Sequence, residues 1–364
     1  MLKVAKFGGS SVRDAIAMQR VVDIVNSDPE IKVVVISATQ NTTNDLENIA
    51  QLAKKGEEQE LKLAIEKLEK RHLDIAIDLK IEAIAAPLII DLSMELKTYV
   101  GFVLKNKDLT ASLMDNIYAI GERMSSLLVA HRFKVSGRPE CTLFDVRQVM
   151  ITDNTHNSAN PIIDLIQVKV DKILKPLLEN HLIVTQGFIG TTENGETTVL
   201  GREGSDFSAT LLGESLAADL VQIWTDVPGV ASTDPRVVQD VVFLKQLSYK
   251  FATLLAKLGA KVLYSRTLEP AERKSIPVQV LSSLDPKNSG TIIQRDVNSL
   301  PGVLGITFKK RGEESVVSIV GNDLEDIQID SPEVDRGENY RSFLVETKQL
   351  ESTVSRWHSA FVHK

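Results

Sequence analysis

The first 36 residues constrain the fold more tightly than any other stretch. Residues 2–7, LKVAKF, are a short apolar segment that delivers Lys6 and then Gly8-Gly9-Ser10-Ser11. Val12, Ile16, Val21, Ile24 and Val25 follow at helical spacing, until Ser27-Asp28-Pro29 stops the pattern. Residues 31–36, IKVVVI, form a near-continuous apolar run, the mark of a strand buried on both faces of a parallel sheet. Strand, turn, helix, strand predicts a βαβ opening, and in open α/β sheets ligands collect at the carboxyl ends of the strands. Two loops lie at such ends: the glycine turn, and the hydroxyl-rich SATQNTTN at 37–44.

The glycine turn suits an anion. Glycines let backbone N–H groups converge on an oxyanion, a following helix start adds a positive dipole end, and Lys6 offers a compact charge for phosphate oxygens. The plainer reading is a tight strand-to-helix turn capped by Ser10 or Ser11. The stretch matches neither the P-loop spacing nor the dinucleotide G-x-G-x-x-G.

At 364 residues the chain has room for two domains. A net charge of −7 without a basic arm argues against nucleic-acid binding. No run approaches ~18 apolar residues and no secretory leader pattern opens the chain, so a cytoplasmic protein without a membrane partner is expected. Cys141 is the only cysteine, which excludes a disulfide within the chain and reads as a small buried apolar residue rather than a nucleophile. The six histidines lack ligand spacing, so no resident metal site is expected.

Residues 45–134 contain no strand pattern and read as a helical excursion from the sheet. Within it lies Gly121-Glu122-Arg123, where Glu122 has apolar neighbours but reads equally as an exposed carboxylate paired with a base. The sheet resumes at 140–144, a helix is expected from 161 to about 178, and 181–190 reads as one strand closing on glycines. Glu193-Asn194-Gly195-Glu196 predicts a hairpin turn. LGREGSD at 200–206 leads into a helix at 207–217, with Ser205 and Asp206 suited to capping. Arg202 is disfavoured beside a helix N-terminus unless an anion lies nearby. Strands at 220–224 and 278–281 flank a helix at 247–258. From Pro301 the texture changes to strands at 303–308, 315–320 and 341–345, with an acidic loop at 323–338. At the end, Leu350, Val354, Trp357 and Phe361 share one helical face, which should pack on its own sheet or a partner subunit.

Glycine, hydroxyl or charged residues gather in five loops, 6–11, 37–44, 201–206, 225–236 and 259–261, and three of them, 6–11, 201–206 and 225–236, hold all three kinds. One such loop is commonplace, but five along one α/β chain suggest a phosphate-rich ligand. Lys6, Arg202, Arg236 and Lys261 would supply the countercharge in an otherwise acidic protein.

Taken in order, KFGGSSV, SATQNTTN, GER at 121, LGREGSD, WTDVPGV, TDPR and GAKVL resemble the motifs of aspartate kinases, members of the amino acid kinase family. The resemblance implies a three-layer αβα sandwich with a largely parallel sheet over residues 1–297, plus a small α+β remnant similar to an ACT module over 298–364. It implies ATP-dependent phosphorylation of the L-aspartate β-carboxylate, with Mg²⁺, as the first step toward lysine, threonine and methionine, in a homodimer. Lys6 matches the lysine at the transferred phosphoryl group, with Gly8, Gly9 and Ser11 around it. Thr43 and Glu122 match aspartate-binding positions, with Ser37 close by. Arg202 matches the arginine that grips the α-carboxylate, and Ser205 and Asp206 complete its loop. Thr225, Asp226, Ala231, Arg236 and Lys261 match nucleotide-binding positions.

Some positions depart from the family pattern. Glu203 stands where GRGGSD has glycine, and Ala231 where a tyrosine is common. Only part of one ACT-like module is recognisable, which implies weak or altered feedback control. The rival readings are a kinase of glutamate or N-acetylglutamate, and a non-catalytic regulatory homologue. A dehydrogenase lacks its glycine spacing and ribose-binding acid.

Overall fold

Apolar strands that alternate with amphipathic helices bury best as a sheet covered on its faces. The computed structural model describes residues 1–138, 140–260, 265–297 and 302–362. The chain divides into two compact units, Met1–Asp226 and Val227–Lys364.

In the first unit β1 (Lys3–Phe7) is followed by α1 (Ala15–Ser27) and β2 (Ile31–Ile36). Four helices come next: α2 (Thr42–Lys55), α3 (Glu58–Asp78), α4 (Glu82–Asn106) and α5 (Ala111–Val135), the expected excursion. The remaining elements are β3 (Cys141–Phe144), β4 (Ile151–Thr152), α6 (Ile163–Lys169), β5 (Leu182–Gln186), β6 (Ile189–Thr192), β7 (Thr197–Val199), α7 (Gly204–Leu216) and β8 (Leu220–Thr225). Within this unit the strands are ordered β3-β5-β2-β1-β8, and the pairings among these five are parallel. β1 is therefore interior, with Lys6 opposite Val35 on one side and Ile223 on the other. Phe7 stacks on Trp224 at the same end, with ring centroids 5.7 Å apart.

Several local expectations change. The glycine turn enters a single 3₁₀ turn, Gly9–Val12, rather than a helix. The cap of α1 is Asp14, whose carboxylate accepts from Ala17 N at 2.8 Å, so neither Ser10 nor Ser11 fills that role. Ile16 is 75% exposed instead of facing the sheet. The expected helix at 161–178 is regular only over α6, and ends in one π turn and a 3₁₀ turn that contains Pro176. The segment 181–190 is two strands, not one, because Phe188 takes a left-handed backbone (φ 68°) between β5 and β6. Gly187 permits the break. A Cβ there would come within 2.6 Å of the Ser205 Cβ at the start of α7.

The second unit contains β9 (Gln246–Ser248), α8 (Tyr249–Leu258), α9 (Ser265–Lys274), β10 (Val278–Ser282) and β11 (Thr291–Gln294). The strand before α8 replaces the first part of the helix expected at 247–258, and Ser248 caps it through Phe251 N. β12 (Val303–Arg311), β13 (Glu314–Gly321), β14 (Glu333–Gly337) and β15 (Tyr340–Glu346) then form an antiparallel sheet ordered β12-β13-β15-β14. β14 is the surprise, since it lies within the expected acidic loop. The closing helix α10 (Leu350–Phe361) buries Leu350, Val354 and Trp357 among Ile306, Val317, Ile319 and Phe343 of that sheet, with Phe361 half-buried beside them. Trp357 meets Phe343 edge to face at 5.5 Å. No helix among the described residues is long and apolar enough to cross a membrane.

Candidate active site

The carboxyl ends of β1 and β2 open onto a cavity of about 840 Å³ in the first unit. β1 brings Lys6 to its floor, where the Nζ pairs with the Asp206 carboxylate in the first turn of α7. Both side chains are deeply buried, so each charge relies on the other for what solvent would otherwise supply. Asp206 and Ser205 thus lie inside the helix, and Glu203 occupies the cap position without a capping bond. Of the glycine turn, Gly9 lines the cavity, whereas the Gly8 N–H is spent on Trp224 O at 3.1 Å. Ser11 is buried and does not line it.

The 37–44 loop forms a second wall through Ser37 and Thr43. Its conformation is fixed from behind. Thr39 Oγ1 lies 2.5 Å from Thr42 Oγ1 and 3.2 Å from His72 Nε2, and Arg71 donates to Thr42 Oγ1 and to Asp45 at 2.8 Å. Complete burial keeps His72 neutral, its pKa lowered to about 4.

α5 supplies Glu122. Gly121 permits the approach, since a Cβ there would lie 2.9 Å from Thr42 Cγ2 and 3.0 Å from the Ala38 Cβ. The Glu122 carboxyl is 96% buried, which removes the exposed reading, and accepts from Ala38 N at 3.3 Å. Burial pushes it up to about 8, against the hydrogen bond from Ala38. Its neighbour Arg123 turns away to Glu95 at 2.6 Å.

Arg202, Ser205 and Asp206 form the third wall. Lys6, Ser37, Thr43, Glu122, Arg202, Ser205 and Asp206 are therefore brought together by one cavity, although they derive from four separate segments. The remaining sequence candidates lie elsewhere. Thr225 and Asp226 end β8, where the Thr225 hydroxyl donates to Asp226 Oδ1 at 3.2 Å. In the second unit Ala231 bridges Phe243, and the exposed Arg236 side chain holds Asp234 through Nε at 2.9 Å and Nη2 at 2.6 Å. Lys261 falls outside the described residues. Cys141 is buried, and burial pushes its thiol up to about 12, so it is no nucleophile.

Tyr118, Asn157 and Phe188 line the cavity too, and sequence reasoning missed them. Tyr118 meets Phe188 edge to face at 6.1 Å. The signal for Tyr118 was its place one helical turn before Glu122. A buried acid at about 8, a buried lysine and a rim guanidinium suit a zwitterion that also carries a second acid.

A family model described as "Amino acid kinase family" matches residues 1–282. The chain belongs to the amino acid kinase family. Lysine-sensitive aspartokinase 3 of Escherichia coli (strain K12) is 40% identical to it over 301 residues, 82% of this chain and 65% of that protein. An aspartokinase of Chlamydia muridarum is 33% identical over 306 residues, 84% of this chain and 66% of the other. The matched segment thus spans just under two thirds of either relative. Among solved structures, E. coli aspartokinase III in complex with aspartate and ADP superposes with a TM-score of 0.90 at 28% identity, over 99% of both chains. The same protein in complex with lysine and aspartate gives 0.87 at 28% identity, over 100% of both. The amino acid kinase fold expected from the motifs is the one observed.

Proposed function

We propose that the chain is an aspartate kinase, transferring the γ-phosphoryl group of ATP to the β-carboxylate of L-aspartate. The carrying observation is the single cavity that joins the Lys6–Asp206 pair to Glu122, Arg202, Thr43 and Ser37. Both bacterial relatives and the E. coli complex named above bear the same activity or substrate in their names, which supports the reading.

In this reading Arg202 grips the α-carboxylate bidentately and Glu122, once charged, takes the ammonium group. Thr43, Ser37 and Ser205 offer hydroxyls to the amino acid. The β-carboxylate is already ionised at neutral pH, since aspartate titrates near ~3.9, so no general base is required. One of its oxygens forms a bond to the γ-phosphorus as the bond to the β,γ-bridging oxygen breaks, and ADP leaves with that electron pair. Lys6, aided by Gly9, draws off charge that develops on the transferring group, and Asp206 orients Lys6.

Thr225, Asp226, Ala231, Arg236 and Lys261 are assigned to the nucleotide from their motifs. Gly8 and Ser11 shape the turn that presents Lys6. Among the described residues no group of three or more His, Cys, Asp or Glu could cage a metal, so Mg²⁺ is assigned to the ATP phosphates as part of the substrate. We also assign residues 1–297 to catalysis and 298–364 to an ACT-like module. A cytoplasmic homodimer at the entry to lysine, threonine and methionine synthesis completes the proposal.

N-acetylglutamate fits less well, because an acetylated amine offers no cation to Glu122. Following ADP release with MgATP and either L-aspartate, L-glutamate or N-acetyl-L-glutamate tests the assignment. Aspartate-dependent release is expected. Release with glutamate and none with aspartate overturns it.

A further inference from the structure

Asp115 lies near the start of α5, seven residues before Glu122, so the two acids share one helix face two turns apart. It is fully buried, and a buried carboxylate needs partners. Most of those partners come from one loop, and the Val199 backbone of β7 supplies a further hydrogen bond. His156 Nδ1 donates to its Oδ2 at 2.7 Å, and Asn157 N donates to Oδ1 at 3.0 Å and Oδ2 at 3.3 Å. Burial pushes the Asp115 carboxyl up, and these bonds work against that, holding the acid nearer its charged form.

The loop is itself closed by Asp153. Its carboxylate accepts from Thr155 N and Oγ1 at 3.1 and 3.0 Å, and from Asn160 N and Nδ2 at 2.9 and 2.7 Å. Burial opposes them, yet these bonds hold the Asp153 carboxyl down at about 2. Residues 153–160 therefore form one closed unit, docked on α5 through Asp115.

Two cavity residues depend on that docking. Asn157, in the left-handed region at φ 66°, lines the cavity directly. Arg202 depends on it through Gly201, where φ is 80° and a Cβ would lie 3.2 Å from both Asn157 O and the Ser158 Cβ. Ala159 N adds a bond to Val199 O at 2.9 Å, just ahead of that glycine.

We propose that Asp115 and His156 are a positioning pair, which docks the 153–160 loop so that Asn157 closes the wall and Arg202 is held at the amino-acid end. Neither residue touches the reacting atoms. The role rests on the aspartate kinase reading above.

The test compares His156→Ala, His156→Asn and Asp115→Asn with the wild type in a steady-state assay with MgATP and L-aspartate. The asparagine amide reproduces the Nδ1 donor, whereas alanine removes it. Losing a hydrogen bond to a buried charge should raise the aspartate KM about tenfold or more in His156→Ala. Its kcat and ATP KM should stay within about threefold of wild type. His156→Asn should recover most of the loss. Asp115→Asn perturbs a fully buried site and can fail to fold, so the His156 pair decides. An unchanged aspartate KM in His156→Ala, an equal rise in the ATP KM, or a His156→Asn as impaired as the alanine variant overturns the proposal. A wild type inactive on aspartate would instead count against the functional reading. Amide exchange then decides the docking: residues 154–160 should be protected in the wild type and lose protection in His156→Ala, and equal protection in both overturns it.

Discussion

Lys6 and Asp206 form an ion pair at the cavity floor, with 10% and 4% of their side chains exposed. A strand end and a helix start, distant in sequence, thus place one charge directly on the other. Removing the lysine has two consequences. Loss of one charge-stabilising donor should lower kcat about 10²–10³-fold, with a much smaller change in aspartate KM. Leaving Asp206 buried without its counter-ion should also cost about 3–5 kcal/mol of stability. Steady-state kinetics and chemical denaturation of Lys6→Ala check both, and a near-normal kcat refutes the phosphoryl role.

Glu122 should make substrate affinity depend on pH. Its carboxyl is raised to about 8 by burial, so in the empty site it is mostly neutral at pH 7. An ammonium ligand needs it charged. The aspartate KM should fall as pH rises from 6 toward 8, by up to about tenfold per unit, and then level off. Glu122→Gln should raise KM and flatten that slope.

The same group sets a stability trend of opposite use. Because the folded value lies above the unfolded one, the neutral acid's contribution is full below the unfolded value near ~4.5 and is lost as pH rises through about 8. Glu122→Gln should therefore raise the unfolding temperature of the ligand-free protein at pH 8 while having little effect at pH 4. No pH dependence in that difference contradicts the burial argument.

Glu203 sits in the left-handed region at φ 53°, between Arg202 and the start of α7. Burial raises its carboxyl, Asp206 adds to that, and Lys6 and Arg202 oppose. Glu203→Gly should relieve about 1 kcal/mol of backbone strain. It should also lower the aspartate KM by removing a competing negative charge beside Arg202. Thermal unfolding and a KM measurement read the two effects separately.

In the second unit Trp357 is 4% exposed and packs edge to face on Phe343. Trp357→Ala should cost about 3–5 kcal/mol and expose apolar surface. A loss below ~1 kcal/mol by denaturant titration contradicts the packing described.

Much of this was legible where local pattern and burial agree. The IKVVVI run, the helical excursion and the α10 stripe each announce a strand or helix through period and composition alone. Lys6 and Arg202 were legible because glycine and hydroxyl residues cluster with charge around them, whereas Ser37, Thr43 and Asp206 were marked as site residues by their match to the aspartate kinase motifs. Glu122 could not be fixed from sequence, since its burial depends on Gly121 letting α5 approach the 37–44 loop. Asp115, His156 and Asn157 were invisible for the same reason: they meet across about forty residues, and no local period marks the encounter. β14 was hidden because its residues are mostly exposed and charged, as edge strands tend to be. The break at Gly187 and Phe188 reads as one strand until Ser205 packs against it.

In the proposed reaction this cavity makes an acyl phosphate from L-aspartate. Trapping with hydroxylamine tests it most directly, because only an activated carboxyl yields a hydroxamate. With MgATP the protein should form aspartyl hydroxamate from L-aspartate, little from L-glutamate or N-acetyl-L-glutamate, and essentially none after Lys6→Ala. Hydroxamate from glutamate and none from aspartate, or no hydroxamate from any of the three acids, would contradict the account.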